Sequence, residues 1–221
     1  MISSDKNLGA LDGGWKEESL TTFLASAREE LRQREPETLA ALCGIQFDAS
    51  ARLFLVSLFG QSFEVSYPDF TAHEVSSERH EATPWVHCLL FHYFRHASGA
   101  RLAHRWISYR ELPGGTFYHQ AFQGYSGDRL ARAIGNDLAA LEMAAHKLGG
   151  KRESMGDLSF SFAALPRVPV ALVYWLGDDE FPPSAKVLFD ASASDYLPTD
   201  ALAVVGGRLC GLLLEAAGKR D

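Results

Sequence analysis

Four side chains suited to binding and a pair of glycines lie close together in the segment 106–115. They are Trp106, Tyr109, Arg110, Glu111, Gly114 and Gly115. The guanidinium of Arg110 is a planar fork that suits a carboxylate or phosphate, and adjacent glycines leave backbone N–H groups accessible. The segment predicts an anion-binding turn in which Trp106 or Tyr109 stacks on a flat part of the ligand. The alternative is a turn that Arg110 and Glu111 brace as an ion pair.

A second polar cluster is the acidic run Asp178, Asp179 and Glu180, with Asp190 further along the chain. Carboxylate oxygens are the ligands that Mg²⁺ and Ca²⁺ prefer. Neighbouring side chains of an extended segment point to opposite sides, so the three carboxylates converge only in an irregular loop. A solvated acidic turn is the alternative. If this turn shares a pocket with Arg110, we expect Asp179, like Glu111, to orient hydrogen-bond donors of the ligand.

The third cluster consists of Cys88, His92 and His96, which are spaced four residues apart. On a helix this spacing puts them on one side, as in a two-histidine metal site or a tetrapyrrole or corrinoid site with His92 as axial ligand. No HExxH signature is present, however, and Arg95 would repel a cation. Packing of the histidines at the border of a buried helix is the alternative that we adopt. We therefore predict no bound metal and no cofactor.

His119 follows Gly115 by four residues and is the candidate proton carrier. An unperturbed histidine titrates near neutral pH, so His119, with Glu111, would serve as acid or base if the chain catalyses a reaction. The sequence has no GxSxG nucleophile motif and no glycine-rich phosphate loop. These absences argue against a serine hydrolase and against a nucleotide-driven enzyme.

Composition limits the class of protein. The chain has 221 residues, of which 47% are apolar and 22% charged, as in a globular protein. Its net charge of −7 and its lack of a basic stripe predict that it binds no nucleic acid. The longest apolar run, residues 168–176, is too short to cross a bilayer. Three widely spaced cysteines indicate reduced thiols, so we expect a cytoplasmic protein.

The hydrophobic pattern predicts the elements that position these clusters. Apolar residues recur at helical spacing in five segments, which are 15–35, 36–44, 84–97, 128–148 and 199–217. Alternation around a glycine turn at Gly60 predicts a hairpin from 52 to 67, and residues 158–190 predict a three-strand meander. Residues 71–83 are predicted as loop. The six residues predicted to be buried together are Leu138, Leu141, Leu172, Tyr174, Leu188 and Leu209.

Strands in two groups separated by helices are typical of an α+β fold. We therefore predict a mainly antiparallel sheet, made of the hairpin and the meander and flanked by helices. The residues before Trp15 contain no apolar run, so 1–14 is interpreted as a loose leader. No proline-rich or charged linker divides the rest, and 15–221 is predicted to form a single domain.

Three blocks of sequence carry a likeness to a known family. They are HY at His92 with WISYRELPGG from Trp106, the stretch from LPRVP at Leu165 to WLGDDEFP at Trp175, and LFD at Leu188 with YLPTD at Tyr196. Together they resemble the family of domain of unknown function 3786, over nearly the whole chain. The resemblance implies an origin in anaerobic bacteria or archaea, but no activity. Some relatives carry an iron–sulfur domain like that of corrinoid proteins, whose cysteines this chain lacks.

Two classes of function remain open from the sequence. The first is an accessory or binding protein that holds a small molecule or a protein partner, in an anaerobic metabolism linked to one-carbon or corrinoid chemistry. The second is a metal-assisted hydrolase or transferase that uses Glu111, His119 and the acidic turn from Asp178 to Glu180. Missing catalytic signatures favour the first class.

Overall fold

The computed structural model describes residues 17–76 and 80–219. The predicted leader, residues 1–14, lies outside the described residues. Seven helices are present in the described part of the chain, and they are α1 (Glu17–Leu31), α2 (Pro36–Cys43), α3 (Pro84–His96), α4 (His119–Tyr125), α5 (Gly127–Ile134), α6 (Leu138–Lys147) and α7 (Thr199–Ala216). None of the helices in these residues has both the length and the apolar character needed to cross a membrane.

Two antiparallel sheets accompany these helices. The first has the order β1-β2-β3-β4 and consists of Gln46–Asp48, Leu53–Leu58, Gln61–Ser66 and Ala72–Glu74. The second has the order β5-β9-β8-β7-β6 and consists of Trp106–Ser108 (β5), Lys151–Arg152 (β6), Leu158–Leu165 (β7), Val168–Trp175 (β8) and Ser184–Asp190 (β9). The α+β class with antiparallel pairing is thereby confirmed.

The predicted hairpin forms the centre of the first sheet. Gly60 adopts φ +79°, which glycine tolerates better than any other residue, and turns β2 into β3. Phe54 pairs with Val65 and Val56 with Phe63, and all four side chains are buried. The alternation of apolar and polar residues therefore sets which face of the sheet packs on the core.

The predicted meander β7-β8-β9 forms the centre of the second sheet, and β8 is its middle strand. Val170, Leu172 and Tyr174 of β8 project from one face into the same core as the first sheet. The two sheets also meet directly, because the Phe59 N–H donates to the Ala164 carbonyl at 2.9 Å.

Helix α3 packs on the first sheet through Phe94, and Tyr93 ties it to α2 and to a turn of the second sheet. The Tyr93 hydroxyl donates to the Cys43 carbonyl at the end of α2 and accepts from the Arg167 N–H in the β7–β8 turn. Phe94, the next residue, packs on Phe54 of β2 with ring centroids 4.9 Å apart. These neighbours bury α3 on more than one side, although Arg95 and His96 at its end are exposed.

The helix predicted over 128–148 is wrong as a single element. Gly135 adopts φ +60° and ψ −135°, which ends α5 after Ile134. The Asp137 carboxylate then accepts from the Ala140 N–H at 3.1 Å and starts α6. A prediction based on apolar spacing overlooks this break, since the row of apolar residues continues across it.

The prediction of residues 71–83 as loop is also wrong in part, because Ala72–Glu74 pairs with β3 as the edge strand β4. Of the six predicted core residues, Leu141, Leu172, Tyr174 and Leu209 are buried. Leu138 and Leu188 are only half-buried. Leu188 lies on the face of β9 opposite to Val187 and Phe189, which is the reason that it misses the core.

Candidate functional site: an exposed aromatic and arginine turn

The turn that follows β5 is held by its own side chains. Residues Tyr109–Glu111 form a 3₁₀ turn, and the Glu111 carboxylate accepts from both the N–H and the hydroxyl of Ser108 at 2.8 Å. These two bonds lower the pKa of Glu111 below its usual value. No ion pair between Arg110 and Glu111 is found among the described residues. The turn is therefore held by the Ser108–Glu111 hydrogen bonds and not by the ion pair that was the alternative interpretation of the sequence.

Gly114 and Gly115 make the turn tight rather than open. Gly114 adopts φ +73°, and a β-carbon on Gly115 would lie 2.0 Å from the Tyr109 carbonyl oxygen. The Gly115 N–H already donates to the Leu112 carbonyl at 2.9 Å. Gly115 is therefore required for close backbone approach, and its amide is used within the turn.

The aromatic ring of Tyr109 anchors the turn on its buried side. It is 4% exposed and stacks on Phe122 of α4 with ring centroids 4.3 Å apart. Its hydroxyl donates to the Thr199 carbonyl at 3.3 Å, and the Thr199 hydroxyl donates to the Pro113 carbonyl at 2.7 Å. Because Tyr109 is covered, stacking on a ligand at this surface falls to other rings.

Two such rings lie two and three residues after Gly115. Phe117 is 96% exposed and Tyr118 is 50% exposed. With the exposed side chains of Arg110, Pro113 and Thr116, they define what we call the Arg110–Tyr118 surface. Sequence reasoning missed the two rings, although two adjacent aromatic residues close behind a Gly-Gly turn were the available signal.

Basic residues precede this surface. Arg101, His104 and Arg105 are exposed in the irregular segment before β5, whereas Trp106 is half-buried at the start of the strand. Within residues 17–76 and 80–219, the side chains of Arg101, Arg105 and Arg110 enter no ion pair. Arg101 and Arg105 precede β5 and Arg110 follows it, so these exposed cations flank the strand at its two ends, in a chain whose net charge is −7.

Asp190 holds the backbone of the segment before β5 in place through hydrogen bonds. It is 2% exposed, and its Oδ1 accepts from the N–H groups of Ala103 and Ser192 and from the Ser192 hydroxyl. Burial alone would raise the pKa of Asp190, but these hydrogen bonds outweigh burial and lower it. Asp190 ends β9 whereas the acidic run precedes β9, so the two lie at opposite ends of the strand and do not form one cation site.

The acidic run forms the turn between β8 and β9. The Asp178 carboxylate accepts from the Glu180 and Phe181 N–H groups, both at 2.8 Å, which lowers its pKa. Asp179 and Glu180 are exposed. Large apolar side chains are also exposed here, and they are Trp175 at 36%, Leu176 at 42% and Phe181 at 67%. We call residues 175–181 the acidic tip.

The acidic tip and the Arg110–Tyr118 surface leave the second sheet at the same end, since β5 and β8 are both antiparallel to β9. The α4–α5 segment lies against the stretch of β9 beyond the end of β5. Here Gln123 donates to the Ala185 carbonyl at 2.9 Å and to the Asp128 carboxylate at 2.6 Å. The turns that carry Arg110 and Asp179 thus face the same end of the sheet, but β5 stops at Leu188 of β9 and β8 at Ser184, and α4 and α5 pack on the stretch of β9 between them.

The three residues of the α3 cluster differ in their surroundings. His92 is 9% exposed and stacks on Phe23 with ring centroids 4.5 Å apart, and Cys88 is buried. His96 is exposed, and its Nδ1 lies 2.9 Å from the His92 carbonyl oxygen. Among the described residues, no three His, Cys, Asp or Glu side chains are grouped as metal ligands.

Burial lowers the pKa of His92 to about 4, because the charged imidazolium loses its hydration. The Asp200 carboxylate at the start of α7 acts in the opposite direction, while His96 and Arg95 lower the pKa further. Asp200 also acts electrostatically on Cys88 and Tyr109. The start of α7 therefore links the α3 cluster to the turn after β5, a connection that sequence reasoning missed.

His119, the predicted proton carrier, begins α4 directly after Tyr118. Its Nδ1 lies 2.8 Å from the Thr116 carbonyl, which makes this nitrogen the donor of the pair. The ring is half-buried. His119 is thus held beside the Arg110–Tyr118 surface, while the Glu111 carboxylate is engaged with Ser108.

The model of one protein family, domain of unknown function 3786, matches residues 35–211. The chain belongs to this family. None of the curated proteins matches the chain, and none of the solved structures does. The span matched by the DUF3786 model contains both the Arg110–Tyr118 surface and the acidic tip. Helix α1, which supplies the Phe23 ring on His92, precedes it.

Proposed function

We propose that this DUF3786 protein is a binding protein whose Arg110–Tyr118 surface recognises a protein partner with an apolar side chain beside acidic groups. The observation that carries the proposal is Phe117, a large apolar side chain that is 96% exposed on an ordered turn. It lies beside Arg110, which enters no ion pair within the described residues. Exposing such a ring in water is unfavourable, and a complementary partner would relieve that cost.

The shape of the surface favours a protein partner over a small molecule. Small-molecule sites are concave and bury most of the ligand, whereas Arg110, Phe117 and Tyr118 are exposed on a turn. Aromatic side chains and arginine are the residues enriched at the energetic centres of protein interfaces. A pre-ordered turn also loses little conformational entropy on binding.

Charge indicates the chemistry of the partner. Arg110 is an exposed cation of this surface and has no ion pair in the described part of the chain. Complementary charge steers a partner to its site and rejects partners of the wrong sign. An acidic segment is therefore the expected partner chemistry, in line with the anion-binding role predicted for Arg110.

We prefer binding to catalysis because two of the carboxylates considered as catalytic groups already accept hydrogen bonds within their own turns. Glu111 accepts from Ser108, and Asp178 accepts from Glu180 and Phe181. Both carboxyls have a lowered pKa, whereas a general acid at neutral pH needs a raised one.

The compartment belongs to the same proposal. Cys43, Cys88 and Cys210 are all free thiols. Reduced cysteines suit the cytoplasm, where disulfides rarely persist. A role in anaerobic metabolism is an expectation from the family resemblance, and the binding surface is independent of it.

The test is a selection of displayed peptides on the full-length protein, followed by affinity measurement of the enriched peptide. We expect acidic peptides with an aromatic or aliphatic residue. Phe117→Ser should weaken binding at least about 30-fold, as for an interface residue that contributes about 2 kcal/mol. Met143→Ser is the matched control, since Met143 is also exposed but lies on α6. Equal binding by wild type and Phe117→Ser would overturn the proposal.

A further inference from the structure

The acidic tip has the chemistry that the Arg110–Tyr118 surface requires. Asp179 and Glu180 are exposed carboxylates, and Phe181 beside them is 67% exposed. The opposite surface chemistry, an exposed arginine beside exposed aromatic rings, is found at Arg110, Phe117 and Tyr118. One copy of the chain therefore presents both halves of a complementary contact.

We infer that the partner is a second copy of this chain, and that the acidic tip of each protomer docks on the Arg110–Tyr118 surface of the other. The inference rests on the proposed binding function and names its partner. It assigns Asp179 and Glu180 to Arg110 of the partner subunit, and the Phe181 ring to Phe117 and Tyr118 of the partner subunit.

The topology allows this pairing to form a closed dimer, in which both copies use both surfaces. Because β5 and β8 run in the same direction, both surfaces leave the sheet at one end of each protomer. When two such ends meet about a twofold axis, each surface meets its complement and the contact forms twice. No complementary surface then remains open for a third copy, so the expected assembly is a dimer.

The negative net charge of the protein does not prevent this contact. Two copies of net charge −7 repel each other at long range, but salt screens exposed charges beyond about 8 Å at physiological ionic strength. Opposite charges in contact lie well inside that distance. The dimer should therefore persist at physiological salt, with the apolar contact of Phe181 supplying a part that salt does not screen.

The experiment is sedimentation equilibrium of the full-length protein and two charge-reversed variants, Arg110→Glu and Asp179→Arg. The wild type should be a dimer. Each variant alone places like charges at both contacts, so its dimer dissociation constant should rise at least about tenfold. When the two variants are mixed, the two substituted side chains face each other with opposite charges at one contact, and the native pair forms at the second. The mixture should then regain dimers.

Lys151→Glu is the control, because Lys151 is exposed on β6 at the other edge of the sheet. It should dimerise as the wild type does, and a thermal melt of each variant checks that its fold is intact. A wild type that stays monomeric would overturn this inference alone, since the proposed function is judged by the peptide selection. A wild-type dimer that neither reversal weakens, or that the mixture fails to restore, would overturn it as well.

Discussion

Burial of His92 disfavours the charged form of its ring. Its ring is packed against Phe23, and its pKa falls to about 4 from an ordinary value near 6.5. Below pH 6.5 the unfolded chain takes up a proton on this ring while the folded chain does not. Stability should therefore be highest above pH 6.5 and decline as the pH falls towards 4.

We predict that His92 accounts for up to about 3 kcal/mol of this acid-induced loss. His92→Phe keeps an aromatic ring on Phe23 and removes the titration, so its free energy of unfolding should fall less with acid. Urea unfolding near neutral pH and near the pKa of His92 measures the difference. His87 contributes to the same trend, because its Nε2 accepts from the Ala72 N–H and burial lowers its pKa.

His96→Gln is the control for His92→Phe, since His96 lies one turn away on α3 but is exposed. This variant should keep most of the acid sensitivity of the wild type, because burial, the main cause of the lowered pKa of His92, is unchanged in it. If His92→Phe lost as much stability between the two pH values as the wild type does, the burial cost assigned to His92 would be wrong.

The residues of the proposed binding surface illustrate which local features a sequence reveals. The composition of the segment 106–115 was sufficient to predict a turn carrying Arg110. It did not reveal that Tyr109 is covered, because the ring packs on Phe122 and its hydroxyl reaches Thr199, 90 residues away. Exposure of Phe117 is equally a product of the packing of the whole turn, and the residue type alone would suggest burial.

Among the elements, α6 offers the clearest test of packing. Leu141 is fully buried on its inner side, whereas Met143, two residues along, is 55% exposed. We predict that Leu141→Ala lowers the free energy of unfolding by about 2–5 kcal/mol because it leaves a cavity in the core. Met143→Ala should change it by less than about 0.5 kcal/mol. Chemical denaturation of both variants checks the pair, and similar losses would contradict the assigned orientation of α6.

Elements with strong local patterns were predictable from the sequence. The hairpin at Gly60, the β7-β8-β9 meander and α7 all have regular apolar spacing, and all are present. Strand β4 has no such pattern in Ala72, His73 and Glu74. It forms through its partners, since β3 pairs along one side and the Ala82 N–H reaches the Ala72 carbonyl from the other. The break at Gly135 likewise depends on one glycine's φ.

At the scale of the whole molecule, sheet topology decides which turns face the same end of the second sheet. The order β5-β9-β8 was not predictable from local pattern, because β5 ends at Ser108 and its partner β9 begins only at Ser184. That order brings the turn after β5 and the turn after β8 to one end. A basic aromatic surface and an acidic aromatic tip thereby come to the same end of the sheet, although helices α4 to α6 and strands β6 to β8 separate them in sequence.

The central claim is that the Arg110–Tyr118 surface is a protein-binding surface, and hydroxyl-radical footprinting of the unmodified chain tests it most directly. The sample is compared alone at a concentration too low for self-association and in complex with the selected acidic peptide. Phe117 and Tyr118 are exposed and should label strongly in the free chain, then lose most of that labelling in the complex. Met143 should label equally in both states. Unchanged labelling of Phe117 and Tyr118 in a saturated complex, with protection elsewhere, would contradict the claim.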